Sequence, residues 1–231
     1  MYPTTQEAAV VAKAEALMVE TMARYDPSHD AYHVQRVRKT AMSIARALPD
    51  QPDLLVVELG ALLHDIVDKK YVSAEVAADP YAFFLPNFES WAKETGLDLV
   101  ADGRARTIAQ IVDNVSWSTE KKRRAAGEWG SWHDTCVELH CVQDADRLDA
   151  IGAFGILRCA AYTAVTSSPL YTDANDPALP QSGVQHFYDK LVHIHQRLKT
   201  EPGRAMGEAR HTVILNFLQA IEQEAQCVIP S

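Results

Sequence analysis

Residues 54–66 read LLVVELGALLHDI. The stretch is apolar around most of a helical circumference, which predicts a central buried helix rather than a surface one. Asp53 stands where an N-cap belongs, after a turn over Pro49–Pro52. Such a helix needs others to cover it on every side, and the neighbouring sequence supplies them.

Upstream, residues 30–48 carry Val34, Val37, Ala41, Ile44 and Ala45 at helical spacing. Before that, Thr4 and Glu7 form a capping-box pair ahead of an Ala-rich amphipathic stretch reaching about Tyr25, broken by Asp26-Pro27-Ser28. Downstream, helices are predicted over 80–95, 100–115, 135–148 with a break near Gly152 before continuing to Val165, 184–199 and 204–224. No segment alternates with period two, so the fold class is all-α. Two segments read as loops: 116–134, with the basic run Lys121, Lys122, Arg123 and Arg124, and 166–183, with three prolines. Loops of that length in a compact domain are usually functional lids or poorly ordered segments.

The chain has 231 residues, 47% hydrophobic and 23% charged. That suits one domain, 1–231, with a site-bearing core over about 26–165 and C-terminal helices over about 184–225 packed on it. The net charge of −9 and pI of about 5.4 exclude a generic nucleic-acid surface. They leave room for a nucleotide, because a cation and a few local bases hold phosphate on an acidic protein. Cys136, Cys141, Cys159 and Cys227 show no CxxC spacing and read as reduced thiols. The first twenty residues lack a basic segment and a continuous apolar run, and no apolar run approaches the roughly 20 residues of a membrane span. The expected location is the cytoplasm, without membrane contact.

The chemistry lies in an ordered series: His33, the pair His64-Asp65, and Asp146. A carboxylate at the end of so apolar a helix is costly to bury alone. A divalent cation resolves the cost by neutralising it, and two imidazoles with two carboxylates suit Mn²⁺, Fe²⁺, Co²⁺, Ni²⁺ or Mg²⁺. The alternative is a buried polar network without metal.

In the contexts YHVQRV (32–37), LLHDIVD (62–68) and DADRLDAIG (144–152), the series resembles the HD-domain superfamily of metal-dependent phosphohydrolases. The likeness extends to a subfamily of small, single-domain bacterial and fungal HD hydrolases through Ser28-His29-Asp30, Ser116-Trp117-Ser118, HFYDKL (186–191), Thr200, Gly203, Arg204 and Arg210. It thus covers nearly the whole chain. It implies an HD-type helical bundle, with one divalent ion at His33, His64, Asp65 and Asp146. Mn²⁺ is expected first, with Zn²⁺ added to the compatible ions. It also implies hydrolysis of phosphate esters or anhydrides in small phosphorylated metabolites, nucleotides foremost, with release of phosphate or pyrophosphate.

Roles follow for neighbours. Asp65 orients the attacking water. Asp68, one turn after His64, serves as general base or as acceptor for a ligand histidine. Arg36, three residues after His33, binds phosphate or braces a carboxylate. Lys69 or Lys70 adds positive charge. Lys121 and Lys122 reach terminal phosphates from the loop, Arg147, next to Asp146, binds substrate or supports that ligand, and Asp149 lies one turn from it. Each has a structural alternative: an ion pair for Arg36, a solvated face for 121–124, a helix brace for Asp149. His29 reads as a capping residue. His133 and His140 lie where a second metal would be bound, which would make the chain a cyclic- or signalling-nucleotide phosphodiesterase; one metal is favoured. A nucleotide-binding regulator without turnover is the third reading. The apolar C-terminal helices pack within the subunit or across a homodimer.

Overall fold

The computed structural model describes residues 2–23, 30–67, 72, 73, 75 and 78–227. Among them every regular element is helical, as the all-α reading expects. Cα packing divides the chain into two compact units, one ending at Ala145 and the other beginning at Asp146.

The first unit is built around α3, Leu54–Leu63. Asp53 caps it, its Oδ1 accepting the N–H groups of Leu55 and Val56 at 3.0 and 3.2 Å. Every residue from Leu55 to Leu63 is buried. Leu55, Leu59, Leu62 and Leu63 are each fully enclosed, contributing on the order of 2 kcal/mol apiece relative to exposure. Helix α1, Thr5–Met22, starts at the expected capping box, with Glu7 accepting from the Thr4 N–H at 2.7 Å. Helix α2, Ala31–Ala47, buries Val34, Val37, Ala41, Ile44 and Ala45, the positions its periodicity singles out. Both pack on α3, as does α5, Arg104–Asn114; α4, Pro80–Thr95, packs on α5 and buries Phe84, Phe88 and Trp91, whose rings touch in a row. At Gly60 the neighbours come close: a Cβ there would stand 3.1 Å from Ile111 Cγ2 and 3.5 Å from Val142 Cγ2.

The segment 116–134, expected as a loop, is helical over α6, Trp117–Ala126, and α7, Ser131–Thr135. Ser116 caps α6 by accepting from Thr119 N–H at 3.4 Å. The Lys–Arg run that suggested a loop is made of good helix formers, and Glu120 pairs with Arg124 one turn on at 2.9 Å. Helix α8, Val137–Asp149, follows.

In the second unit α9, Gly152–Val165, packs against the long α11, Glu201–Ala225. The stretch expected as one helix over 184–199 is two elements, α10 (Gly183–Asp189) and a 3₁₀ helix (Leu191–Arg197), broken at Lys190, whose φ of −137° is not helical. Thr200 caps α11 by accepting from Gly203 N–H at 3.0 Å, and Pro202 occupies the first turn, where no donor is missed. Phe187, Leu191, Ile194, Leu198, Ile214 and Leu218 form the core. On α9, Phe154, Leu157 and Val165 face outward, 52%, 65% and 58% exposed. No single helix among the described residues is long and apolar enough to cross a membrane.

Candidate metal centre

Asp30 caps α2 by accepting from His33 N–H at 2.8 Å. That fixes His33 in the first turn, where its ring is fully buried. Helix α3 stops at Leu63, and residues 64–67 form a turn, so the expectation of a helix running to Ile66 is corrected. His64 accounts for the stop. Its Nδ1 lies 2.8 Å from the Ala61 carbonyl, one of the last-turn acceptors that a helix leaves without an internal donor. Ile66 N–H then bonds Leu63 at 3.2 Å, an i→i+3 closure. Because a carbonyl only accepts, His64 Nδ1 carries a proton, which leaves Nε2 as the ring nitrogen that a metal would take.

Asp65 Oδ2 stands 3.4 Å from His33 Nε2 and 3.4 Å from His64 Nε2. The two rings meet edge-on, centroids 5.3 Å apart. Helix α8 carries the half-buried Asp146 directly after Ala145. Donors held about 2.1–2.2 Å from one cation lie about 3 Å apart in cis and about 4.3 Å apart in trans. These spacings fit that geometry, so the group can hold a divalent ion.

Arg36 is half-buried on α2, one turn beyond His33. Lys121 and Lys122 are exposed on α6 rather than on a loop. His29, Asp68, Lys69 and Lys70 lie outside the described residues. Arg147 is only 4% exposed, and its Nη1 donates to the Arg197 carbonyl at 2.8 Å. Asp149, 3% exposed, pairs with Arg158 at 3.2 Å.

His133 and His140 are engaged elsewhere. His133 Nδ1 accepts the Gly130 N–H at 3.1 Å, which leaves Nε2 as the donor to Asn114 Oδ1 at 3.1 Å. Both ring nitrogens are therefore spent. His140 Nε2 donates to the His133 carbonyl at 2.8 Å. Beside them lies a polar layer that sequence reading missed. Gln143, fully buried, donates to the Asn114 carbonyl at 2.7 Å and to Glu120 at 3.3 Å. Glu120 is 2% exposed. The Glu120–Arg124 spacing was a visible signal, but nothing in the sequence marks that carboxylate as buried.

Comparison with known proteins adds a second line. The pattern of the HD domain family matches residues 30–151, more than half of the chain. The uncharacterised protein YpgQ of Bacillus subtilis is 30% identical over 201 residues, 85% of this chain and 84% of its own. Its structure in complex with ADP superposes with a TM-score of 0.65 at 25% identity, covering 91% of this chain and 97% of that one. The Lin1889 protein from Listeria innocua matches with a TM-score of 0.69 at 25% identity over 96% of this chain and 99% of its own. An HD-superfamily hydrolase from Bacillus thuringiensis, 23% identical with a TM-score of 0.69 over 96% of this chain and all of its own, shares the fold.

Proposed function

We propose that this chain, which belongs to the HD domain family, is a metal-dependent phosphohydrolase acting on small phosphorylated metabolites, nucleotides foremost. One observation carries the reading: the Asp65 carboxylate stands 3.4 Å from each of two buried imidazoles, His33 and His64. We assign His33, His64, Asp65 and Asp146 as ligands of one divalent cation. The mixed nitrogen and oxygen set suits Mn²⁺ first. Such a cation supplies the Lewis acidity that phosphoryl hydrolysis at neutral pH needs.

The protein's own groups supply the rest. Asp65 is only partly buried, so one carboxylate oxygen can accept from a water approaching from solvent. The Arg36 guanidinium, one turn from His33, binds a phosphoryl group through paired N–H donors. Lys121 and Lys122 supply mobile positive charge for terminal phosphates. Asp68 and Lys70 keep their roles on sequence spacing alone. The engagement of both His133 nitrogens supports one cation rather than two. That Bacillus subtilis YpgQ was solved with ADP supports nucleotides as the substrate class.

The test is phosphorus NMR of a pool of nucleoside mono-, di- and triphosphates and cyclic nucleotides, incubated with the protein and Mn²⁺. Product formed by the wild type and lost in Asp65→Ala is expected, and the released species names the bond cut. Tight nucleotide binding without any product would instead favour a regulator.

A further inference from the structure

The likeness that runs through the C-terminal third ends on Gly203, Arg204 and Arg210, and the proposed chemistry gives none of them work. Arg210 has a definite place. The inner face of α11 is formed by Gly203, Gly207, Ile214 and Leu218, all buried, and Arg210 falls on the same helical stripe at +3 from Gly207 and −4 from Ile214. The small residues let the helix lie close: a Cβ at Gly207 would stand 2.3 Å from Leu198 Cδ1.

The Arg210 guanidinium is half-buried, with Asp149 as its attractive charge. Its Nη1 donates to the Leu148 carbonyl at 2.5 Å. Leu148 lies in the last turn of α8, where carbonyls lack internal partners and a cation is favourable. The same carbonyl also accepts from Ile151 N–H at 3.2 Å. Other contacts brace this corner. Arg147 bonds the Arg197 carbonyl. Arg158 holds Asp149. Gly152 has a φ of +74°, and a Cβ there would press on the Arg210 Cβ and Cγ at 3.0 Å. Gly155 lies so near the Ala150 carbonyl that a Cβ would stand 2.4 Å from it. The corner is therefore shaped around the Arg210 stem, and it begins one residue after Asp146.

We propose that Arg210 is a positioning residue for Asp146: by holding the Leu148 carbonyl it fixes the last turn of α8, and so the direction in which the Asp146 carboxylate is presented to the cation. The inference rests on the ligand assignment above. Residues that orient ligands in this way typically change metal affinity by about 10- to 100-fold when removed.

The experiment titrates Mn²⁺ into the full chain and follows the free-ion signal by electron paramagnetic resonance. It compares wild type, Asp146→Ala, Arg210→Met, Arg210→Lys and Arg204→Met. Metal-free melting is recorded for each. Arg204 is exposed and bonds the Lys199 carbonyl, so its variant should bind as the wild type does. Arg210→Met should weaken Mn²⁺ by about tenfold or more. Arg210→Lys, whose ammonium donates to the same carbonyl, should recover most of that loss. A merely structural role would lower the metal-free melting temperature and leave the affinity of the folded protein alone. Smaller weakening in Arg210→Met overturns the proposal. Should that variant not melt cooperatively, Arg210→Gln is judged by the same limit. A wild type that binds no Mn²⁺ removes the ligand assignment itself; binding that ignores Arg210 removes only the positioning role.

Discussion

Substituting Gly60 by valine is expected to loosen both the core of the first unit and the proposed metal centre. Gly60, on α3, lies four residues before His64, and Val142 lies one turn before Asp146 on α8. The close approach of 60 and 142 therefore sets how near α8 lies to α3. A Cβ at 60 stands 3.1 Å from Ile111 Cγ2, inside the roughly 3.5–4.0 Å optimum for carbon pairs. For Gly60→Ala two effects nearly cancel. Helix propensity gains about 1 kcal/mol, and compressing one contact by a few tenths of an ångström costs a similar amount. Valine adds two more methyl groups to the same space with a smaller propensity gain. Overpacking of this kind costs about 1–3 kcal/mol, so a net loss of about 2 kcal/mol is expected. For a chain of this size that is about 4–8 °C in melting temperature. Thermal melts by circular dichroism and Mn²⁺ titration of alanine and valine variants measure both effects. Valine melting within about 1 °C of wild type, with unchanged Mn²⁺ affinity, would refute the reasoning.

Other outcomes follow from particular groups. Asp53→Ala removes the α3 cap and a part-exposed ion pair with Arg104 at 2.9 Å; urea unfolding should report a loss of about 1–2 kcal/mol, most of it from the cap. Partial burial, and then the His195 ring stacked 3.8 Å away, hold His211 below its usual 6.5, with His193 acting the same way and Glu208 opposing. The unfolded chain thus takes up a proton that the folded one resists, so this contribution is intact above pH 6.5 and is lost as pH falls below it. His211→Gln should flatten the decline in urea midpoint between neutral and mildly acid pH relative to wild type. Burial pushes the Cys136 thiol up to about 11 and the Cys141 thiol up to about 12, and Cys159 is also buried and raised. Iodoacetamide on the native protein should therefore label Cys227, which is exposed, and mass spectrometry after unfolding should find the other three still reactive.

The sequence exposed the elements whose burial is periodic and the residues whose chemistry is out of place. Helices α1 and α2 and the core role of 54–63 were legible because their apolar positions repeat at the helical period and their caps are Thr4, Asp30 and Asp53. The His-Asp pair was legible because charge at the end of an apolar run demands a partner. The end of α3 was not: Ile66 and Val67 continue the apolar pattern, and only the His64 ring bonding the Ala61 carbonyl shows why the helix stops. Helix α6 was hidden by its four basic residues, which read as a solvated loop when Ser116 and Glu120 are not recognised as cap and pair. The bond from Arg147 to the Arg197 carbonyl was not legible, because its acceptor lies fifty residues away in sequence.

The outward face of α9 has a colloidal consequence. Phe154, Leu157 and Val165 form a greasy strip on a molecule kept dispersed near neutral pH by a charge of −9. Near the isoelectric point of about 5.4 that repulsion vanishes, and uncharged surfaces with apolar strips stick together. Turbidity should therefore rise as solutions are acidified toward that pH, earlier at high salt, where the remaining charge is screened. Replacing Leu157 by lysine should delay the onset without altering the melting temperature.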